Sequence, residues 1–252
     1  MKEIEQGMLS RTELLLGHEA IERIQSAKVI LFGVGGVGSW AAESLVRSGI
    51  RNLTIVDSDV VCVTNINRQL MATSKTIGQV KVDVLRERLL SINPQAQIQA
   101  VNMIYDASTA DSFRLEDYDC VLDCIDSLAS KALLIRRATA TSGLFLSSMG
   151  AALKMDPTRV KVAEFWKVEG CPLAARLRAR FRKEKDFPAR KFQCVFSDEQ
   201  MTNQGICQEE SIEGPAPMSF HKMQTNGAIA HITAIFGFTL AGLALKQIIA
   251  TR

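Results

Sequence analysis

Cysteine pairs of the kind that hold zinc are absent from this sequence. Its six cysteines stand at positions 62, 120, 124, 171, 194 and 207, and no two of them form a Cys-X-X-Cys motif. Zinc sites with the usual spacing need such closely spaced pairs. The sequence therefore argues against a zinc site, and Cys62, Cys120 and Cys124, which lie in apolar runs, are expected to be buried thiols.

An excess of charge of one sign is also absent. The 252 residues include 30 Lys and Arg against 27 Asp and Glu, so the net charge is only +3. This near balance neither requires nor excludes a nucleic-acid partner. Residues 1–6 lack the apolar core of a signal peptide, so we expect a cytoplasmic location, where reducing conditions keep thiols free.

The sequence has few long uncharged runs, and the longest one covers residues 227–245. Its polar members include His231, Thr233 and Thr239. A hydropathy window would flag this run as a membrane span. A helix buried in the core or in a subunit interface is the favoured interpretation, because Gly237 and Gly242 suit close helix packing. Membrane association is the less favoured alternative.

The most informative stretch is an apolar run, residues 29–32, that breaks into closely spaced glycines. Gly33, Gly35 and Gly38 have the spacing of a turn that approaches a phosphate, and residues 39–46 then predict a helix. A second strand ends in Asp57, about 20 residues past the turn, where an acid usually binds a ribose hydroxyl. Together these features predict a nucleotide-binding site at a helix N-terminus.

The rest of the chain alternates short strands with helices. We expect helices over residues 80–92 and 131–142, and one over residues 10–26 with Leu14, Leu15, Leu16, Ala20, Ile21 and Ile24 on a single buried face. Expected strands cover residues 51–57, 98–101, 119–123 and 144–150, and residues 160–165 alternate like an antiparallel edge strand. The order predicts an α/β fold, a Rossmann-like doubly wound and mainly parallel sheet with added antiparallel strands and a C-terminal apolar helix.

Polar side chains cluster after the predicted strands. Asn65, Asn67 and Arg68 follow the second strand and could hold phosphates with amides and a planar guanidinium. Asp123 and Asp126 follow a later strand at the same sheet edge. Carboxylates beside a phosphate site suggest magnesium, and Asp126 is the better candidate ligand.

Two segments in the second half leave alternatives open. Residues 176–191 contain eight Arg and Lys residues together with Phe181 and Phe187, and Phe192 follows. This composition suits either an RNA-binding surface or a solvated helix face. Residues 201–226 show little periodicity and predict a long loop, which could cover a substrate.

The chain resembles the adenylating domain shared by ubiquitin-activating enzymes and the bacterial proteins that activate ThiS and MoaD, the ThiF/MoeB/HesA superfamily. Five motifs in register carry the resemblance: residues 33–38, 57–59, 65–69, 78–81 and 123–127. Residues 171–178, 194–197 and 213–215 and the apolar C-terminal helix are similar to the branch that dehydrates threonylcarbamoyladenosine in tRNA.

The resemblance implies one adenylating domain over residues 1–252, with a nucleotide-binding part in 1–150 and a substrate and dimer part in 151–252. It implies ATP, Mg²⁺, a tRNA substrate and a homodimer. The implied nucleotide-binding residues are Gly33, Gly35, Gly36, Gly38, Asp57, Asp59, Asn65, Asn67, Arg68, Gln69, Lys81, Asp126 and Ser127, with Asp126 on magnesium. The implied catalytic residues are Arg68, Lys81 and Arg11, the last reaching across the dimer interface to the partner's ATP.

The sequence departs from the family's pattern at one position. Some relatives in the dehydrating branch carry a cysteine after the Gly-Pro turn, whereas this chain has Met218-Ser219-Phe220-His221. A thiol step there is not expected, although His221 could touch a substrate. The family also suggests the hypothesis that another cysteine accepts sulfur from a cysteine desulfurase partner.

Other functions use some of the same motifs. Activation of the C-terminal glycine of a ubiquitin-like sulfur carrier would need the same adenylating site, and the basic segment favours RNA over that substrate. An NAD-dependent dehydrogenase would explain the glycine turn and Asp57, but not Arg68, Lys81 and Asp126. A nucleotide-binding protein without catalysis would not need the full set of phosphate-binding groups.

Overall fold

The computed structural model describes residues 2–205 and 226–250. Within them, seven strands form one sheet in the order β3-β2-β1-β4-β5-β7-β6. The strands are β1 (Lys28–Phe32), β2 (Asn52–Asp57), β3 (Gln97–Asn102), β4 (Cys120–Asp123), β5 (Leu144–Ser148), β6 (Val160–Glu164) and β7 (Gln193–Ser197). Neighbouring strands are parallel except β6 and β7. The expected doubly wound sheet with an antiparallel edge is confirmed, and β7 is a strand that periodicity did not predict.

Seven α-helices cover the two faces of the sheet in the described part of the chain. They are α1 (Lys2–Leu16), α2 (His18–Ser26), α3 (Gly38–Arg47), α4 (Lys81–Ile92), α5 (Leu128–Ala140), α6 (Pro172–Glu184) and α7 (Ala230–Ala250). Apolar residues of α2, α3, α4 and α7 share one core with the sheet. Those of α5 and α6 fill a second core on the other face. Because side chains alternate along a strand, each central strand contributes to both cores.

The N-terminal segment differs from the single helix that its periodicity predicts. The chain breaks at Gly17, whose φ of +84° favours glycine, and α2 starts in a new direction. Ala20 and Ile21 are buried as expected, whereas Leu14 and Leu15 are 87% and 81% exposed. The common buried face was wrong because the break at Gly17 interrupts the helical period on which it depended.

The apolar C-terminal helix α7 packs against α3. A Cβ atom on Gly237 would lie 2.6 Å from the Val37 carbonyl oxygen and 2.9 Å from the Ala41 nitrogen, so the two backbones are in close contact. Gly242 has no such neighbour within 4 Å. By length and composition α7 could cross a membrane, and 44% of its most apolar window is buried inside the protein. Its apolar residues thus supply a large part of the first core.

The two glycines of α7 provide a matched test of this packing. We expect Gly237→Ala to lower the free energy of unfolding by about 1–3 kcal/mol, because its methyl group overlaps the α3 backbone. The same change at exposed Gly242 should raise it by up to about 1 kcal/mol, through helix propensity alone. Urea denaturation of both variants measures the difference. Equal effects at the two positions would contradict the close α3–α7 contact.

Candidate nucleotide-binding site

The site lies where the strand order reverses, between β1 and β4. β1 connects through α3 to β2 on one side, whereas β4 continues the sheet on the other. In open α/β sheets this switch point leaves a crevice at the carboxyl ends of the strands, where ligands bind. The Cys124 N–H donates to the Phe32 carbonyl at 2.8 Å, which joins the two loops that border the crevice.

The glycine turn is built by close backbone contacts that exclude side chains. Gly33 has a φ of +86°, and a Cβ atom there would lie 2.8 Å from the Cys124 carbonyl oxygen. A Cβ atom on Gly38 would lie 1.8 Å from the Gly33 carbonyl oxygen. These contacts bring the start of α3 directly beside the end of β1. The positive end of the α3 dipole therefore lies at the crevice, where it favours an anion.

Asp57, at the end of β2, is bound to the glycine turn. One carboxylate oxygen accepts the Val34 N–H at 2.8 Å and the other accepts the Asp59 N–H at 2.9 Å. Burial raises the pKa of Asp57, and the nearby Lys81 ammonium opposes that shift. Each carboxylate oxygen still has a second lone pair that a ribose hydroxyl could use.

Lys81 and Arg68 bring two cations to the same edge. The buried Lys81 ammonium lies 2.8 Å from a carboxylate oxygen of exposed Asp59. The Arg68 guanidinium donates to the Thr64 carbonyl at 2.8 Å and to the Asn67 amide oxygen at 3.0 Å. Burial lowers the pKa of Arg68, and the Asp126 carboxylate opposes this shift.

The amides of this segment have distinct positions. The buried Asn65 side chain accepts the Cys62 N–H at 3.1 Å and shapes a short 3₁₀ turn. The Asn67 amide donates to the Ala228 carbonyl at 2.8 Å and ties the turn to the chain just before α7. The Gln69 amide lies 3.8 Å from the Cβ position of Gly35, and its buried Oε1 has no hydrogen-bond partner. An unsatisfied acceptor beside a glycine turn fits a site that a polar ligand completes.

Two expected magnesium candidates have different environments. Asp126 is exposed, and Ser127 directly follows it at the N-cap of α5. Asp123 is fully buried, and its carboxylate pairs with the fully buried Lys131 ammonium at 2.8 Å. Asp123 is thus held in a buried ion pair, and exposed Asp126 remains the better candidate ligand. The Lys131 partner was missed because the pairing depends on how α5 packs over β4 and not on local spacing.

Arg11 is separate from this cluster within one subunit. Its helix α1 contacts residues that precede β2 and β3, since Glu5 accepts from Arg51 at 2.7 Å and from Asn93 at 3.1 Å. That is the edge where the strands begin, whereas the site lies where they end. Arg11 itself is exposed. Any contact of Arg11 with a nucleotide would therefore have to involve another subunit.

Several side chains of the basic segment make contacts within the protein instead of pointing into solvent. Phe181 and Phe192 are buried, and the Arg178 guanidinium donates to the Phe165 carbonyl at 3.1 Å. Arg182 lies over the Trp166 ring, with its guanidinium carbon 5.7 Å from the ring centroid. The aromatics at these two positions are thus core residues. Exposed cations remain on α6 and just after it, at Arg176, Lys183, Lys185 and Lys191.

The described cysteines offer few reactive thiols. Burial raises the pKa of Cys120, Cys124 and Cys194 above the ordinary thiol value, which disfavours the thiolate. Cys120 and Cys194 are buried as completely as core residues, whereas Cys62 and Cys124 are half-buried rather than buried as expected. Cys207, the Gly214-Pro215 turn and His221 lie outside the described residues.

A glycine turn at the switch point, with the start of α3 facing the crevice and Asp57 bound to the turn, is the arrangement of a Rossmann-like nucleotide-binding protein. The chain belongs to the ThiF family, whose model matches residues 9–252. It is 41% identical over 190 residues to the tRNA threonylcarbamoyladenosine dehydratase of Bacillus subtilis, a match that covers 75% of this chain and 74% of the relative. A molybdopterin-synthase adenylyltransferase of Escherichia coli is 34% identical over 54% of this chain and 53% of its own.

Structural similarity extends over nearly the whole chain. The Escherichia coli tRNA N6-threonylcarbamoyladenosine dehydratase, solved in complex with ATP, superimposes with a TM-score of 0.84 and is 32% identical. The match covers 97% of this chain and 95% of that one. The fold described above, including the antiparallel edge and the C-terminal helix, is therefore that of the dehydrating branch of the family.

Proposed function

We propose that this protein uses ATP to dehydrate N6-threonylcarbamoyladenosine in tRNA. The observation that carries the proposal is that cations lie beside the glycine turn: the Arg68 side chain is 3.4 Å from the Cβ position of Gly36, and Lys81 acts on Asp57, which accepts the Val34 N–H. Such a set suits a reaction in which negative charge develops on phosphate groups. Similarity to tRNA threonylcarbamoyladenosine dehydratases over almost the full chain supports the choice of substrate.

The chemistry begins with a carboxylate, which is a poor electrophile because its oxygen leaves poorly. In the proposed first step, an oxygen of the threonyl carboxylate attacks the α-phosphate of ATP. Its bond to phosphorus forms, the bond to pyrophosphate breaks, and an acyl adenylate results. A nucleophilic atom of the same modification then attacks the acyl carbon, loses its proton and expels AMP, which closes a ring. The nucleoside has lost one water, and no nucleophile from the protein is required.

The nucleotide would be bound by groups from three loops. Asp57 would bind the ribose, and Gly33, Gly35, Gly36 and Gly38 would allow the phosphates to approach the start of α3. Asn65, Asn67, Gln69 and Ser127 would line the phosphate path. Arg68 and Lys81 would stabilise charge on the α-phosphate and on pyrophosphate, and Asp59 would orient the Lys81 ammonium through their ion pair.

Asp126 would hold Mg²⁺ in this scheme. Among the described residues there is no cluster of three or more His, Cys, Asp or Glu side chains able to bind a metal by itself. Mg²⁺ does not need one, because it is commonly held by one or two carboxylates together with substrate phosphates. The ion would neutralise phosphate charge during adenylation. An exposed carboxylate beside Arg68 fits that role.

The second half of the chain is proposed to contact the substrate and a second subunit. The exposed cations of α6 would attract the tRNA backbone, and their contribution would weaken with salt. Arg11 would reach the nucleotide of the other subunit of a homodimer.

We place the reaction in the cytoplasm, with α7 in the protein core. A cysteine desulfurase partner would need a reactive thiol, and the raised pKa of Cys120, Cys124 and Cys194 does not favour those three.

Adenylation of the C-terminal glycine of a ubiquitin-like sulfur carrier is the second candidate. The similarity to a molybdopterin-synthase adenylyltransferase favours it, because that reaction would use the same phosphate-binding groups. That similarity spans only about half of this chain. The tRNA reaction is the better supported of the two.

The deciding experiment supplies the purified protein with ATP, Mg²⁺ and tRNA that carries threonylcarbamoyladenosine. We expect mass spectrometry of the digested nucleosides to show the loss of one water, with AMP and pyrophosphate formed in equal amounts. Reactions without ATP and with tRNA lacking the modification serve as controls. Pyrophosphate exchange elicited by a sulfur-carrier protein, with unchanged tRNA, would favour the second candidate instead.

A further inference from the structure

The Asp123–Lys131 pair lies directly beneath the loop that presents Asp126. Both side chains are fully buried, and the ammonium lies 2.8 Å from the carboxylate. Asp123 ends β4, Lys131 lies in the first turns of α5, and the loop between them runs from Cys124 to Ser127. The pair therefore connects the two ends of this loop through the protein interior.

The same pair also holds the middle of the loop. One oxygen of Asp123 accepts the Ile125 N–H at 3.1 Å, and the Lys131 ammonium donates to the Ile125 carbonyl at 2.9 Å. That carbonyl belongs to the peptide group that joins Ile125 to Asp126. Because a peptide group is planar, fixing its oxygen restricts the direction in which the next residue leaves. Asp126 is thus presented from a peptide that Lys131 holds in place.

Stability alone does not account for a lysine at this position. A buried ion pair is a weak source of stability, since desolvation of both charges offsets their attraction. The start of α5 carries a partial positive charge, which disfavours a further cation there. The Ser147 hydroxyl, which donates to Asp123 at 2.7 Å, shows that the carboxylate has other partners in the core. Besides its ion pair with Asp123, Lys131 adds the bond to the Ile125 carbonyl.

We propose that Lys131 is a positioning residue that orients Asp126 for its metal through the Ile125–Asp126 peptide. The inference rests on the proposed function, in which Asp126 binds Mg²⁺ on the nucleotide. Partners that orient a metal ligand typically contribute about 10- to 100-fold to metal affinity. Lys131 would act on the metal without contacting either the metal or ATP.

The test measures how strongly Mg²⁺ tightens nucleotide binding. Isothermal titration gives the Kd of a non-hydrolysable ATP analogue with saturating Mg²⁺ and with EDTA. The ratio of the two values measures how much Mg²⁺ strengthens nucleotide binding, and the change of this ratio in a variant reports the protein's contribution. The main variant is the double change Lys131→Met and Asp123→Asn, which removes both buried charges. The Asn amide oxygen can still accept the Ile125 N–H, and its NH2 group can donate to the Ser147 hydroxyl oxygen. We expect its ratio to fall about 10-fold below that of the unchanged protein, with the EDTA value nearly unchanged.

Two further variants keep the outcomes distinct. Ser147→Ala removes a buried hydrogen bond to the same carboxylate without touching the loop, so it should lower the melting temperature and leave the ratio unchanged. Asp126→Asn should bring this Kd ratio to about 1, because Mg²⁺ would then no longer strengthen nucleotide binding. If Asp126→Asn has no effect, the metal site of the proposed function is wrong. If Asp126→Asn removes the effect of Mg²⁺ on the Kd but the folded double variant keeps the ratio of the unchanged protein, Lys131 is only structural and the positioning role is wrong.

Discussion

Replacing Arg68 by alanine is expected to slow substrate-dependent ATP–pyrophosphate exchange by about 100- to 1,000-fold, the usual cost of removing one preorganised group that stabilises transition-state charge. The Arg68 guanidinium donates to the Asn67 amide oxygen at 3.0 Å, and its Cγ atom lies 3.4 Å from the Cβ position of Gly36 in the glycine turn. Its guanidinium can bind two phosphate oxygens at once. In the alanine variant, these hydrogen bonds would no longer stabilise the negative charge that develops on the α-phosphate and pyrophosphate.

The folded structure should tolerate this change. The backbone carbonyl of Arg68, and not its side chain, accepts the Trp40 indole N–H at 3.1 Å and so connects this segment to α3. We therefore expect Arg68→Ala to keep a melting temperature close to that of the unchanged protein. Arg68→Lys is the matched control, because it keeps the charge but not the two-pronged geometry, and should retain intermediate exchange. Normal exchange by the alanine variant would rule out the assigned role.

Replacing Gly38 by alanine should have the largest effect on folding, with a loss of about 2–3 kcal/mol in the free energy of unfolding. The added methyl carbon would lie 1.8 Å from the Gly33 carbonyl oxygen and 3.0 Å from Leu31. A backbone oxygen cannot rotate away as the end of a side chain can. The start of α3 would have to move from β1, and nucleotide binding at the helix N-terminus should be lost with it.

Gly35→Ala is the matched control for this prediction. It lies in the same turn, but the nearest atom to its added methyl group is the Gln69 amide nitrogen at 3.8 Å, an ordinary contact. We expect its unfolding free energy to stay within about 1 kcal/mol of the original. Urea denaturation followed by circular dichroism gives both values. Similar stabilities for the two variants would show that the contact between Gly38 and Gly33 is not what fixes the turn.

The site is predictable from sequence where its residues belong to short motifs or follow the strands of the sheet directly. Gly33 and Gly38 predict a turn, because glycine readily takes the positive φ found at Gly33, and because Gly38 lies too close to the Gly33 carbonyl oxygen for a side chain. Asp57 follows at the end of the next strand, and parallel strands place their carboxyl ends at one edge. Arg68 and Asp126 could be expected there for the same reason, since each follows a strand of that sheet.

Other features depend on which distant surfaces come together. The basic segment has a composition that suits RNA, yet Phe181 and Phe192 are core residues, because α6 packs beside α5 in the second core. The break at Gly17 separates α1 from α2 and leaves Leu14 exposed. Periodicity describes one helix at a time, so it does not report which face a neighbouring element covers.

The sequence by itself therefore determined the order of β1 to β6 with α3 to α5 between them, the glycine turn and the polar groups expected beside it, because each follows from short-range spacing and from the geometry of parallel sheets. The tertiary structure alone decided that Asp123 is buried against Lys131 while Asp126 is exposed beside Arg68. The sequence favours Asp126 as the ligand, but it does not show which of the two carboxylates is buried. Packing of α5 over β4 desolvates Asp123 and leaves Asp126 in contact with solvent, a difference in burial that local spacing does not report.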